Sequence, residues 1–368
     1  MPVPRILADL LRLPTATFVE TAVLAYVERF CRRLTGVRCR FDRYGNLLAH
    51  YRHRPRPVTP LVFAAHTDHP GFVAQEMLDR RTVRATFRGY VESPYFADAK
   101  MCFWSSGRWV PGAVVELTRT VPVNRSGRPS SRPEEVLIRV RQTVEPRAPG
   151  MWALPEPARK GDLMYARDHD DIAGVAAMLT LLHRLSRKQA AAEVYCLFTR
   201  AEEIGFVGAI GAAKAGTVPP DLPIIGIEMS KELPTARIGD GPILRVGDRM
   251  SVFTPALTAF CGRVAQRLAT RRRSFVFQRK LMDGGSCEST AYVAYGYRAT
   301  GVCLALGNYH NMDTQRGKIA PEFISLKDWQ RLVAWFEALV MNERGYVDGD
   351  VALRAELEQR FASAVPLL

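Results

Sequence analysis

Short continuous apolar runs alternate along most of the chain with stretches in which apolar residues recur at helical spacing. Apolar runs occupy residues 61–65, 194–198 and 300–305, and such runs are typical of strands that are buried on both faces of a sheet. Residues 175–185 and 326–340 carry the helical pattern. This alternation predicts an α/β fold with a mixed, largely parallel sheet flanked by helices.

The same reading assigns several shorter elements. Residues 17–34 carry an apolar stripe at helical spacing, and residues 37–41 and 46–51 are typical of two strands joined by a turn. Two further strands are predicted at residues 223–227 and 274–278.

A different pattern fills the stretch after residue 72. Short β-branched runs are broken there by glycine, proline, serine and arginine, and helical periodicity is absent. We therefore predict a small β-rich domain at residues 73–161, inserted into an α/β scaffold made of residues 1–72 and 162–368. The tail of the insert, residues 145–160, is rich in proline and is expected to be extended.

Composition narrows the class of protein. The chain has 368 residues, of which 47% are hydrophobic, enough for a sizeable core. No apolar run is long enough to cross a bilayer, and Arg5, Asp9 and Arg12 interrupt the place of a secretory signal. We expect a cytoplasmic protein without a membrane partner.

The seven cysteines are scattered along the chain, which favours free thiols over disulfides or a cysteine-bound metal.

The formal net charge of +14 raises the question of a nucleic-acid partner. The run Arg271, Arg272 and Arg273 is the most concentrated basic segment, but the arginines are spread over the whole chain and are not interleaved with aromatic residues. We expect a solvated basic surface and no nucleic-acid partner. Attraction of acidic substrates or of an anionic partner is the weaker alternative.

Two adjacent carboxylates follow the apolar run at residues 194–198. Glu202 and Glu203 are therefore expected at the carboxyl end of a strand, the edge where α/β sheets bind ligands. Like charges in one crevice repel each other unless a cation lies between them. The hypothesis is that Glu203 binds a metal and that Glu202 accepts a proton from water. The alternative is a solvated acidic pair near a helix N-terminus.

Five acidic or imidazole residues fall just past predicted strand ends or at strand-to-helix turns: His66, Asp170, Glu203, Glu228 and His310. Each one alone has a structural explanation, such as a core histidine, a helix cap or a surface acid. Together they share one edge of the sheet, and imidazole nitrogen with carboxylate oxygen suits zinc. A pair of metals needs one carboxylate that bridges both.

Seven segments carry a family resemblance: AHTDHPGF (65–72), DDIAG (170–174), AEEIGFVGA (201–209), IGIEMS (225–230), IGDGPIL (238–244), GGSCEST (284–290) and NYHNMD (308–313). In order and spacing the chain resembles the co-catalytic zinc aminopeptidases of the glutamyl aminopeptidase and tetrahedral aminopeptidase family. That family belongs to a superfamily with leucyl aminopeptidases and carboxypeptidases. The resemblance covers nearly the whole chain.

The resemblance implies a centre of two divalent metal ions, with zinc expected and cobalt or manganese as alternatives. His66 and Glu228 would hold one ion, Glu203 and His310 the other, and Asp170 would bridge them. The expected activity is hydrolysis of N-terminal residues from peptides.

Two further roles follow from the resemblance. Glu202 would be the general base, and Asp68 would orient the His66 imidazole. A cis peptide is implied between Asp170 and Asp171. The discontinuous segments 1–72 and 162–368 would form the catalytic domain. The insert would serve oligomer assembly or substrate access, so that a homo-oligomer is expected.

Some positions depart from the family pattern. Glu228 stands where aspartate is usual, Ile172 where arginine is common, and His69 with Pro70 where an acid is usual, while residues 286–288 replace a threonine–aspartate pair. A carboxypeptidase or N-acyl amino acid deacylase with the same metal core is therefore an alternative. A basic nucleic-acid-binding or structural protein is the non-enzyme alternative.

Overall fold

The structure is a computed structural model that describes residues 3–125, 128–349 and 351–365. Its α-helices are, in chain order, α1 (Arg5–Leu10), α2 (Thr21–Arg32), α3 (His169–Lys188), α4 (Val207–Ala215), α5 (Pro255–Arg271), α6 (Glu288–Ala294), α7 (Leu326–Val340) and α8 (Val351–Ala364). The helix predicted from residue 17 begins at Thr21 instead. The chain turns before it, because Phe18 has a φ of 73° and donates its N–H to Glu20 at 2.8 Å.

The strands alternate with these helices except in one long β segment. They are β1 (Val37–Phe41), β2 (Leu47–His53), β3 (Leu61–His66), β4 (Gly71–Met77), β5 (Thr82–Arg88), β6 (Lys100–Ser105), β7 (Arg108–Arg125), β8 (Arg128–Val140), β9 (Pro149–Trp152), β10 (Ala158–Lys160), β11 (Leu163–Ala166), β12 (Ala192–Thr199), β13 (Ile224–Lys231), β14 (Ile243–Asp248), β15 (Gln278–Met282), β16 (Ala299–Leu306), β17 (Met312–Asp313), β18 (Lys318–Ile319) and β19 (Glu322–Ser325).

The largest sheet has eight strands in the order β1-β2-β12-β3-β13-β16-β14-β15. The central strands β12, β3, β13 and β16 are parallel to their neighbours within this set, whereas β2 and β14 join them antiparallel. This arrangement confirms the predicted mixed, largely parallel sheet. All residues of β3 and of β16 are buried, as their continuous apolar sequences predicted.

Two strand predictions need correction. The strand expected at 223–227 continues to Lys231, because β16 pairs with it as far as Leu306. The strand expected at 274–278 begins only at Gln278, where it joins β14. Phe275 lies in the loop before this strand. Its side chain is nevertheless buried in the core, with its ring centroid 6.4 Å from that of Trp335.

Helices cover both faces of the large sheet. A main apolar core lies between the sheet and α1, α2, α3, α5 and α7, and a smaller core lies between the opposite face and α4 and α6. Helix α3 runs through the middle of the larger layer, where it contacts both α1 and α7. This packing fixes the start of α3, which carries Asp170.

Strands β4 to β9 form a separate closed barrel with the order β4-β5-β8-β7-β6-β9. Its interior is a distinct apolar cluster that contains Phe72, Phe87, Phe96 and Trp152. Strand β9 comes from the proline-rich tail and pairs with both β4 and β6. The tail is therefore extended as expected, and it closes the barrel.

All seven cysteines lie within the described residues, and all are free thiols. Within the same ranges, no helix has the length and apolar character that crossing a membrane requires.

Candidate active site

The parallel strands bring four of the predicted segments to one edge of the sheet. His66 is the last residue of β3, and Glu202 and Glu203 follow the end of β12. Glu228 lies within β13, and His310 follows β16 after a short turn. Because β12, β3, β13 and β16 run in the same direction, their carboxyl ends meet at this edge.

Asp170 reaches the same place from outside the large sheet. It lies at the start of α3 with non-helical φ and ψ angles of −84° and 106°, and its peptide bond to Asp171 is cis. The cis bond is the one that the family resemblance implied. Gly174 allows α3 to pack beside this turn, since a Cβ there would lie 2.3 Å from Oδ1 of Asp171.

Two groups of side chains at this edge have the composition of metal sites. One ligand atom per residue lies within 4.8 Å of the others in the first group (His66, Glu202 and Glu228) and in the second group (Asp170, Glu203 and His310). The structure thus brings together all five residues that the sequence singled out as ligands, with Glu202 beside them.

Asp170 lies between the two groups. Its Oδ1 is 3.4 Å from Nε2 of His66, and its Oδ2 is 3.5 Å from Nε2 of His310. The same His310 nitrogen is 3.4 Å from Oε2 of Glu203, and the His66 nitrogen is 3.8 Å from Oε1 of Glu228. Zinc ligands at about 2.0–2.2 Å in tetrahedral geometry lie about 3.3–3.6 Å from one another. Most of these separations therefore fit pairs of ligands on a shared ion.

Several side-chain atoms of these two groups make no hydrogen bond to any described residue. Nε2 of His66, Oδ1 of Asp170, Oε1 of Glu203 and Oε2 of Glu228 are buried and make no hydrogen bond. A buried polar atom without a partner costs free energy, and a buried carboxylate costs more. The donor set fits divalent cations, which would satisfy each of these atoms.

The charges of these side chains also favour a bound cation. Burial, together with neighbouring carboxylates, raises the pKa of Glu202 and of Glu203 well above the usual range. Burial also raises the pKa of Glu228 to about 8. Against the effect of burial, the imidazoles of His310 and His66 hold the pKa of Asp170 well below its usual value. The site carries more carboxylates than its imidazoles neutralise, and added positive charge would stabilise it.

Asp68 is fully buried behind the two groups of candidate ligands. Nδ1 of His66 lies 3.1 Å from the Asp68 main-chain carbonyl and 3.5 Å from its carboxylate. The carboxylate accepts the main-chain N–H groups of Glu202 at 3.0 Å and Glu203 at 3.3 Å, and the hydroxyl of Thr17 at 2.9 Å. Asp68 therefore touches the segment of both glutamates as well as the imidazole that it was predicted to orient.

Sequence reasoning missed Glu322. This residue begins β19 and is fully buried. Its carboxylate accepts the main-chain N–H of His310 at 2.9 Å and that of Asp170 at 3.1 Å, so it ties two candidate ligands together. The signal was a single acid at the edge of the short apolar run that precedes α7.

A mixed sheet that collects carboxylates and imidazoles at its carboxyl edge has the donor set of a metal-dependent hydrolase. The comparison with protein families agrees. The model of the M42 glutamyl aminopeptidase family matches residues 45–314, and the chain belongs to that family. It is therefore a peptidase hydrolase, and peptidases of this family depend on metals.

Solved structures show the same fold at low sequence identity. An aminopeptidase from the archaeon Desulfurococcus kamchatkensis is 18% identical, with a TM-score of 0.75 over 94% of this chain and 97% of its own. The Pyrococcus horikoshii TET1 peptidase, described as assembling into a tetrahedron or a large octahedral shell, is 17% identical, with a TM-score of 0.72 over 92% of this chain and 98% of its own. These neighbours confirm the predicted fold class.

Proposed function

We propose that this chain is an aminopeptidase that removes N-terminal residues from peptides by using two divalent metal ions, with zinc as the expected metal. The observation that carries the proposal is a buried cage around Asp170, in which imidazole nitrogens lie 3.4 to 3.8 Å from carboxylate oxygens and four ligand atoms make no hydrogen bond to a described residue. Membership in a family of metal-dependent aminopeptidases supports it.

In this proposal His66 and Glu228 would hold one ion, and Glu203 and His310 would hold the other. Asp170 would contribute one carboxylate oxygen to each. When bound, such a pair of ions polarises a carbonyl and makes water more acidic. The contribution of the chain is to fix these five side chains in a buried cage.

Glu202 is the proposed general base. Its main-chain N–H is held by Asp68 at 3.0 Å, and its carboxyl group lies in the first group without being needed as a ligand. It would accept a proton from the attacking water and return that proton to the departing amine. Its burial favours this role, because burial raises the pKa of Glu202 and so makes its carboxylate a stronger proton acceptor.

A pocket beside Glu228 is the proposed site for the side chain of the first substrate residue. Arg245 and Lys231 line it, together with Ser230 and Tyr309. Arg245 is only 2% exposed and donates to Ser230 at 3.0 Å, but its Nε has no hydrogen bond among the described groups. Arg245 and Lys231 give this pocket two positive charges against the one carboxylate of Glu228, which would favour an acidic N-terminal residue.

Assembly into a homo-oligomer is also proposed. The TET1 neighbour is described as a dodecamer in one structure and as a tetrahedron or octahedral shell in another. The closed barrel, which carries none of the proposed metal ligands, is the candidate assembly domain. Its β7–β8 ribbon pairs as far as Arg125 and Arg128, with register shifts between Val114 and Thr120.

Aminoacyl anilides test the proposed activity. We expect hydrolysis of glutamyl and aspartyl anilides in preference to leucyl and lysyl ones, complete loss on chelation, and no hydrolysis when the α-amine is acetylated. Preference for the acetylated substrates would contradict the aminopeptidase assignment and favour the deacylase alternative. Absence of hydrolysis together with tight, salt-sensitive nucleic-acid binding would favour the non-enzyme alternative.

A further inference from the structure

We propose that His69 is a positioning residue, which fixes the main chain of Asp170 and thereby sets the affinity of the centre for metal. The proposal rests on the metal centre of the proposed function. His69 is one of the positions that depart from the family pattern, and the chemistry described so far gives it no role.

The His69 ring is buried, with 1% of the residue exposed. Its Nδ1 lies 2.7 Å from the main-chain carbonyl oxygen of Asp170. A carbonyl oxygen can only accept, so this nitrogen donates the hydrogen bond. Glu322 accepts the N–H of the same residue at 3.1 Å. The main chain of Asp170 is thus held on both sides, by His69 at its carbonyl and by Glu322 at its N–H.

The other nitrogen of His69 links this turn to the segment of the second imidazole ligand. Burial lowers the pKa of His69, so the ring is neutral and has one N–H. With Nδ1 donating to Asp170, its Nε2 contacts Oδ1 of Asn311, the residue after His310, at 3.1 Å without donating to it. Asn311 is itself fixed, because its amide nitrogen donates to the carbonyls of Arg167 at 2.8 Å and Ala320 at 3.2 Å. His69 therefore spans two ligand-bearing segments that are far apart in the sequence.

These contacts distinguish His69 from a metal ligand. Neither ring nitrogen faces a candidate ligand atom, since one faces the main-chain carbonyl of Asp170 and the other the amide of Asn311, and the ring centroid is 6.3 Å from that of His310 in an edge-on arrangement. The residue acts on the metals only through Asp170, which lies between the two groups. Loss of such an outer contact typically lowers metal affinity or activity about 10–100-fold.

Three substitutions separate the two contacts of the ring. His69→Ala removes both. His69→Asn places an amide nitrogen near the position of Nδ1 and keeps the donor to Asp170, whereas His69→Gln places its amide nitrogen near Nε2 and keeps only the contact with Asn311. Tyr51→Phe is the matched control, since it removes a buried hydroxyl that donates to Ala190 at 2.8 Å in another part of the core.

The readout is zinc affinity of the full-length protein, measured by competition with a chromophoric chelator, with thermal unfolding recorded alongside. We expect His69→Ala and His69→Gln to bind zinc about 10–100-fold more weakly than the unsubstituted protein. We expect His69→Asn to recover most of that loss, and Tyr51→Phe to keep full affinity despite a lower melting temperature.

Wild-type affinity in His69→Ala, or equal affinities in His69→Asn and His69→Gln, would overturn the proposal. If His69→Ala does not fold, the comparison of the asparagine and glutamine variants still decides. The assay needs no substrate. A protein that binds two zinc ions with this pattern but cleaves no peptide would refute the proposed function and leave the role of His69 standing.

Discussion

The barrel and the carboxyl edge of the large sheet both bury large side chains, but they do so in opposite ways. Inside the barrel, Phe72 and Trp152 meet edge to face with ring centroids 4.9 Å apart, and Phe87 and Phe96 meet at 4.8 Å. These rings fill the barrel by packing, although the indole nitrogen of Trp152 makes no hydrogen bond among the described residues. At the sheet edge, buried imidazole and carboxylate atoms lie close together without hydrogen bonds. The barrel is therefore held by the packing of aromatic rings, whereas the sheet edge gathers charged ligand atoms that a cation would satisfy.

The largest expected effect comes from Glu202 at the edge. Glu202→Gln removes the proposed proton acceptor but keeps the size of the side chain, so kcat should fall by about 10²–10⁴-fold. Zinc content should stay unchanged, because the five proposed ligands remain. Steady-state kinetics on metal-loaded protein checks this, and retention of most activity would exclude the assigned role.

Truncating a side chain in the barrel should lower the stability of the protein and leave zinc binding intact. Phe87 is 2% exposed and lies in ring contact with Phe72, Phe96 and Trp152. Phe87→Ala should cost about 3–5 kcal/mol of unfolding free energy, measured by denaturant titration. Zinc affinity per folded chain should be unaffected. A selective loss of zinc from folded protein would show that barrel and edge are not independent.

Glu288 tests whether buried carboxyl groups near the sheet edge lower the free energy of unfolding when no metal is bound. Burial raises its pKa from 4.5 to about 7. Between these values the unfolded chain has lost the proton that the folded chain keeps, so stability falls as pH rises from 4.5 to 7 and is level above that.

Glu288→Gln removes this penalty. In chelator-treated protein the variant should be more stable than the unsubstituted chain by about 3 kcal/mol at pH 8, and nearly equal to it at pH 4.5. Denaturant titrations at the two pH values measure the difference. A stability difference that does not change with pH would contradict the assignment.

Metal addition should give the smallest effect, and it should be local. An ion that binds only the folded chain stabilises it by about 2.7 kcal/mol at 100 times its dissociation constant. Amide hydrogen exchange should slow near Asp170 and His310 and change little in the barrel. Equal slowing in both regions would mean that the two are coupled more closely than their separate cores indicate.

The sequence predicted those strands whose residues form an uninterrupted apolar run or a clear alternation. Strand β1 begins and ends where it was expected, and the buried runs of β3, β12 and β16 were visible because nearly every residue in them is apolar. Strand β14 was missed because it lies within a stretch that glycine and proline mark as a loop, and only its pairing with β15 and β16 makes it a strand.

In the candidate site, too, some residues were predictable from local sequence and others were not. The five proposed ligands were found because each lies in or beside a recognisable element, and the family resemblance assigned their roles. The contacts of His69 and Glu322 were not predictable, because each depends on main-chain atoms more than ten residues away. The local sequence gives no pattern for an acceptor that only the assembled fold supplies.

The central claim is that the sheet edge holds two metal ions with Asp170 between them. Crystals of the metal-loaded protein, measured on both sides of the zinc absorption edge, test it most directly. The account predicts two anomalous peaks per chain, one beside His66 and Glu228 and the other beside Glu203 and His310, with Asp170 contacting both. Peaks elsewhere, or a single ion that leaves Asp170 unbound, would contradict it.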